Sequence, residues 1–405
     1  MSTVAIICEY NPFHSGHAYQ IEKIRREFGE DTVILALMSG NFTQRGEAAI
    51  ADKMLRARCA VECGINLCIE LPFPFSMSSA ELFSLSGIRI LNALGTVDYL
   101  SFGSESGDIE ALYKTAEYML TPEYQQELSS ALAVKEDKNE GYPKMCERAL
   151  AKVTQNDTEY VSLTPNNILA IEYIKALIST KSKIKPHTVK RDGADYNEES
   201  IIRSKHQSAS AIRNALASSD VSALDFVPET AKKLFLDAIS TGVAPCDEER
   251  VSAAVIASLR LSSPDNGEDI HDVGGGLYNR LIAKSFEANT ITDLIRLCET
   301  KKFTKARLRR SVWYSFFGVT SSEVKAHPAY TSLLAADSIG TAELKRIKRS
   351  SDFPIITKPS AIEKLPEAAL RQKRASDKAD SIFQMTKPSD ICGNYALTAT
   401  PYVKK

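Results

Sequence analysis

The chain has 405 residues, 43% of them hydrophobic and 25% charged, and a formal net charge of −1. That is the composition of an ordinary globular protein of two or three domains in which any basic face must be local. It contains no long uncharged apolar run, so a membrane span is not expected. Met1-Ser2-Thr3 leads into a strand with no basic, apolar leader, and secretion is not expected either. The eight cysteines (8, 59, 63, 68, 146, 246, 298 and 392) are scattered without a CxxC pair. Buried reduced thiols, rather than a metal cluster, are expected of them, in a cytoplasmic protein.

In chain order, short apolar runs fit strands at Val4–Cys8, Val33–Met38, Leu67–Leu71, Tyr99–Phe102 and Ile184–Val189. Between them, helices are predicted near His17–Phe28, Asp52–Cys63, Ser79–Leu94 and Ile109–Leu120, with another opening at Pro165-Asn166-Asn167. Asp52 is a predicted N-cap, and Gly64 and Gly95 predicted helix stops. This alternation implies a doubly wound parallel sheet with its ligand crevice at the carboxyl ends of the strands. His14-Ser15-Gly16-His17 falls at such an end, where a helix begins. Free N–H groups and the helix dipole favour an anion there, and Gly16 admits close approach. Phosphate is the preferred guest of His14 and His17. Simple capping ranks next, and a metal last, since zinc prefers an i, i+4 pair and a third ligand. Ser208-Ala209-Ser210-Ala211-Ile212-Arg213 starts a later helix, and Ser208 fits an N-cap.

After about Ser218 the strand–helix alternation stops, and helices are expected at Glu229–Ile239, Asp247–Leu261, Gly276–Phe286, Thr290–Thr300 and Lys305–Phe316. The run Lys301-Lys302-Phe303-Thr304-Lys305-Ala306-Arg307-Leu308-Arg309-Arg310 carries six cations and no acid. Lys302, Lys305 and Arg309 share a face at helical spacing, with Phe303 and Trp313 near, which suits RNA backbone and unstacked bases. A merely solvated helix face is the rival reading. From Ser350 onward the chain reads as loops packing back on the body.

HxGH after the first strand resembles the signature of the HIGH-type nucleotidyltransferases, whose two histidines hold ATP phosphates while the α-phosphorus is attacked. Ser208, Ser210 and Arg213 are similar to that superfamily's second signature, SSTxIR, which holds the departing pyrophosphate. Over nearly its whole length the chain resembles the bacterial tRNA(Met) cytidine acetate ligase family. The likeness lies in EYNPFHSGH (Glu9–His17), MSGNFTQRGEAAIADK (Met38–Lys53), IELP (Ile69–Pro72), FGSE (Phe102–Glu105), PNNILAIEY (Pro165–Tyr173), VKRDG (Val189–Gly193), SASAIR (Ser208–Arg213), GLYNRL (Gly276–Leu281) and KKFTKARLRR (Lys301–Arg310).

The resemblance implies an α/β fold. A doubly wound parallel-sheet HIGH-type nucleotidyltransferase domain would span residues 1–217, followed by a largely helical tRNA-binding domain and tail over 218–405. It implies that ATP activates acetate as acetyl-adenylate and that the acetyl group passes to N4 of the wobble cytidine of elongator tRNA(Met). The ATP site would comprise Ile7, Cys8, Glu9, Tyr10, Asn11, Pro12, Phe13, His14, Ser15, Gly16, His17, Gly103, Asn166, Asn167, Arg191, Ser208, Ser210 and Arg213. His14, His17 and Lys53 would be catalytic; Lys53 and Arg45 follow the second strand and could reach phosphate or RNA. Lys301, Lys302, Lys305, Arg307, Arg309 and Arg310 would bind tRNA. Mg2+ is expected on the phosphates, with no carboxylate cage visible and no metal ligand assigned. Two other functions fit parts of the pattern: a small-molecule adenylyltransferase of the same superfamily, and a non-enzymatic RNA-binding protein.

Overall fold

The computed structural model describes residues 2–133, 142–154, 160–190, 208–389 and 398–405. The first half alternates as expected: β1 (Thr3–Cys8), α1 (Ser15–Phe28), β2 (Val33–Ser39), α2 (Lys53–Glu62), β3 (Leu67–Leu71), α3 (Ala80–Leu94), β4 (Tyr99–Ser104), α4 (Ile109–Leu120), α5 (Pro122–Ala133), α6 (Tyr142–Thr154), α7 (Pro165–Ser179) and β5 (Lys185–Lys190). The punctuation holds too. Asp52 caps α2 through the Met54 amide, Ser79 caps α3 through the Leu82 amide, and Gly95 closes α3 in the left-handed conformation.

The strand order is β5-β4-β1-β2-β3, all parallel. The chain winds outward from β1 to β3, then returns to place β4 on the other side of β1. The switch in direction therefore falls between β1 and β4, and that is where a doubly wound sheet opens its crevice. Successive β1 residues serve opposite cores. Ala5 and Ile7 pack with α3, α4 and α7, while Val4, Ile6 and Cys8 pack with α1 and α2. With both faces buried, the strands read as continuous apolar runs.

Beyond Ser208 come α8 (Ala209–Ala217), α9 (Glu229–Ser240), α10 (Ser252–Arg260), α11 (Leu277–Ser285), α12 (Ile291–Cys298), α13 (Lys305–Phe317) and α14 (Ser321–Lys325). Helices α10 to α13 build a third core around Trp313, with Phe42 and Phe73 entering it from loops after β2 and β3.

The chain then returns to the sheet, where no strand is expected and the tail reads as loops packing back on the body. β6 (Thr331–Ala336) pairs antiparallel with β3; α15 (Ser338–Ser350), β7 (Ile355–Ile356), α16 (Glu367–Gln384) and β8 (Tyr402–Val403) follow, and β7 and β8 both pair with β6. The sheet is therefore not wholly parallel, and it draws strands from both sides of Ser218. β6 escapes a sequence reading because it is six residues long and four of them are alanine, serine or threonine. The reading of loops after Ser350 fails for another reason. The inward face of α16 includes Lys373, Asp380 and Gln384, so its buried stripe is not apolar. Among the described residues, no helix is long and apolar enough to cross a membrane.

Candidate active site

The loop after β1 runs along the switch point and ends at the start of α1. Tyr10 takes a left-handed φ of 45° and is almost wholly buried, a strained backbone of the kind that clusters at functional sites. His14 is the N-cap of α1. Its Nδ1 accepts the Gly16 amide at 3.1 Å, and His17 Nδ1 accepts the His14 amide at 3.2 Å. Phosphate and capping, posed as rivals for these histidines, are compatible: capping occupies Nδ1, so each neutral ring carries its proton on Nε2 and is a donor on that side. The rings stack with centroids 3.8 Å apart, and the edge of Tyr10 meets His17 at 4.8 Å. A Cβ at position 16 would lie 2.9 Å from His14 Cε1, so any larger residue there would push the imidazole from its capping position.

Arg213 brings the second motif to the first. Its Nη1 donates to the Asn11 carbonyl at 2.9 Å, and its Nη2 donates to Ser210 Oγ and to Glu47 Oε2, each at 3.2 Å. Ser208 Oγ caps α8 by accepting the Ala211 amide at 3.2 Å. The Asn11 side chain, in turn, accepts the Ile50 amide at 2.8 Å, so the loop after β2 is fixed to the loop after β1. Arg56, fully buried, completes the frame. Its guanidinium donates to the carbonyls of Ala51 (2.9 Å), Ser39 (3.1 Å), Glu9 and Gly40. Neither Arg56 nor Glu47 is among the expected site residues, although Glu47 lies within the Met38–Lys53 motif.

Across the switch point, Gly103 lies in β4, paired with Val189, and the next loop locks onto α7. Glu105 accepts the Asn167 amide at 2.8 Å and the Asn166 side-chain amide at 2.6 Å, while Asn167 Oδ1 accepts the Glu105 amide at 3.0 Å. Burial opposes ionisation of Glu105, but hydrogen bonds from Asn166, Thr164 and the backbone outweigh it and hold the carboxyl below its ordinary value. Asn166 and Asn167 thus fasten one wall of the crevice. Arg191 lies outside the described residues.

Lys53 sits elsewhere. Its Nζ lies 2.6 Å from Glu70 Oε1 and 2.6 Å from Asp380 Oδ2, and the side chain is buried. Asn41 bridges the cluster, donating to Asp380 at 2.9 Å and accepting the Lys53 amide at 2.8 Å. Burial works against the ammonium, but the two carboxylates prevail and raise its pKa. The structure gives Lys53 these partners rather than the histidine pair.

The basic run spans the turn before α13 and the helix's first residues, and its cations divide. Lys301, Lys302 and Lys305 are exposed, Lys302 donating to the Gly275 carbonyl at 2.9 Å. The arginines are tied down: Arg307 and Arg310 to Asp272 at 3.0 and 3.2 Å, Arg309 to Glu47 at 2.8 Å and to Glu248 at 3.4 Å. The matching acids are absent from the run because they arrive from three other segments. Arg309 therefore does not share an open face with Lys302 and Lys305. Trp313 is fully buried against Phe42 and Phe317, and Phe303 is buried too, so neither offers a ring to a base.

Comparison with known proteins gives the chain's family. The profile of the HIGH Nucleotidyl Transferase family matches residues 1–395, and the chain belongs to that family. A tRNA(Met) cytidine acetate ligase of Acetivibrio thermocellus is 36% identical over 385 residues, 92% of each chain. One of Caldanaerobacter subterraneus subsp. tengcongensis is 37% identical over 366 residues, 88% of this chain and 89% of that one. The crystal structure of Thermotoga maritima TmcAL bound with alpha-thio ATP superposes with a TM-score of 0.90 at 30% identity, covering 100% of this chain and 99% of that one. Its apo form gives 0.92 over the same coverage. Within the nucleotidyltransferases, this chain belongs to the tRNA(Met) cytidine acetate ligase family, and it is an enzyme of the ligase class.

Proposed function

We propose that this chain activates acetate with ATP and acetylates the wobble cytidine of elongator tRNA(Met). An acetate oxygen attacks the α-phosphorus, the bond to the β-phosphate bridge breaks, and pyrophosphate leaves with its electron pair. The cytidine N4 then attacks the acetyl carbon of the acetyl-adenylate, AMP departs with the electron pair of the broken C–O bond, N4 releases one proton to solvent, and N4-acetylcytidine is formed. The observation that carries this reading is the hydrogen bond from Arg213 to the Asn11 carbonyl. It ties α8 to the loop that opens α1, so that both helix starts would face one anion.

Each residue has a task that its geometry supports. His14 and His17 present Nε2–H donors, and the first amides of α1 add positive potential, where charge builds on the α-phosphoryl oxygens. Arg213, with the start of α8, receives the leaving pyrophosphate. A preorganised donor of this sort contributes about 3 kcal/mol to the transition state. The loop from Ile7 to Phe13, with Gly103, Asn166 and Asn167, would shape the nucleotide pocket. Ser15 and Gly16 open α1 beneath the phosphates. Among the described residues, no group of three or more His, Cys, Asp or Glu could hold a metal. Magnesium would therefore arrive on the ATP phosphates.

Residues 1–217 would supply the nucleotide site and 218–405 the tRNA-binding face, in a cytoplasmic enzyme. The exposed Lys301, Lys302 and Lys305 would meet RNA phosphates, with Arg307 at their margin. The test is formation of acetyl-adenylate from ATP and labelled acetate, followed by transfer to tRNA(Met). Acetate-dependent pyrophosphate release is expected. Release that needs a phosphorylated vitamin fragment instead would favour a small-molecule adenylyltransferase.

A further inference from the structure

We infer that Glu47 is a positioning residue for Arg213 and that it ties the pyrophosphate end of the nucleotide site to helix α13. The inference rests on the role just given to Arg213. Glu47 offers one oxygen to Arg213 Nη2 at 3.2 Å and the other to Arg309 Nη1 at 2.8 Å. Arg309 Nη1 also lies 3.4 Å from Glu248 Oε1, whose second oxygen accepts the Ala48 amide at 3.0 Å. The four side chains retain only 20%, 23%, 19% and 15% of their exposure, in the order Arg213, Glu47, Arg309, Glu248. Solvent screens such a line far less than a surface pair.

Among the described residues Arg213 has three anchors: the Asn11 carbonyl, the Ser210 hydroxyl and Glu47. Only Glu47 is charged, and charge-assisted hydrogen bonds are the stronger kind. Arg309 draws on the same carboxylate, so Glu47 orients Arg213 without fully neutralising it. The guanidinium stays both aimed and positive toward a phosphate. The backbone keeps this arrangement in register. Gly46 has a φ of +78°, and a Cβ there would lie 2.5 Å from the Arg310 nitrogen. The loop carrying Glu47 thus rests directly on α13. By this account Arg309, although part of the basic run, serves the nucleotide.

The experiment compares ATP and AMP binding by calorimetry for the full chain, E47Q, E47D, R309Q and the E47Q/R309Q double variant. AMP lacks the β- and γ-phosphates, so the ratio of the two affinities reads the pyrophosphate end and is blind to general loosening. E47Q and R309Q should each weaken ATP binding about tenfold while AMP binding stays within about twofold, and E47D should recover part of the loss. Because Arg309 acts through Glu47, the double variant should bind ATP no worse than E47Q. An unchanged ratio would overturn the inference. So would tighter ATP binding by E47Q, which would make Glu47 a mere competitor of the phosphates, or an R309Q effect that persists without Glu47. A wild-type chain that binds ATP no better than AMP would overturn it as well. Failure to form acetyl-adenylate would sink the proposed function instead, and the affinity ratio would still decide this point.

Discussion

Arg213 and Asn11, separated by 202 residues in the sequence, meet through a 2.9 Å hydrogen bond from guanidinium to backbone carbonyl. The contact makes one crevice of two loops and sets the terms for testing the residues around it. Removing the His17 ring should delete a phosphoryl donor while leaving Lys301, Lys302 and Lys305 in place. H17A is expected to lower acetyl-adenylate formation by about 10²–10³-fold, with tRNA binding by gel shift unchanged. Retained adenylate formation would refute the role given to His17.

The lysines and arginines of the basic run should separate cleanly. K302A/K305A is expected to weaken tRNA binding and to flatten its salt dependence by roughly 0.7–0.9 in slope per lost phosphate contact. Pyrophosphate release without tRNA should not change. Equal tRNA affinity at all salt concentrations would remove these lysines from the interface.

Lys53 sits between two buried carboxylates. K53M would leave Glu70 and Asp380 facing each other without a cation, and breaking a buried ion cluster in this way costs about 3–5 kcal/mol. Urea unfolding measures the loss. A K53M chain of native stability that makes no acetyl-adenylate would return Lys53 to the chemistry.

Glu248 yields a pH signature. Burial pushes its carboxyl up from the ordinary 4.5 to about 7, against the attraction of Arg309. The folded state therefore binds a proton more readily than the unfolded state between those values. This group's contribution to stability falls as pH rises from 4.5 to 7. E248Q should remove that slope, which denaturant titrations across the interval would reveal. An identical slope in the variant would mean that Glu248 titrates normally.

Much of the site was legible in the sequence because local rules wrote it. A helix start needs a cap and admits an anion, so His14, His17 and Ser208 stood out, and the strand alternation placed them on one edge. Glu47, Glu248 and Asp272 were not legible. Each neutralises an arginine of α13 from a distant segment, so the basic run looked unmatched. Arg56 was hidden for a similar reason: its partners are backbone carbonyls, which no residue pattern displays. Trp313 looked available to RNA only because helical spacing cannot say which face a neighbouring domain covers.

The return of β6 to the edge of β3 bears on how the molecule is made. Until Thr331–Ala336 has left the ribosome, β3 presents an unpaired edge, and Lys53 waits on Asp380 from still later in the chain. Nascent polypeptides paused before that point should recruit chaperones and resist becoming soluble, and two separately expressed halves should recover activity only when synthesised together.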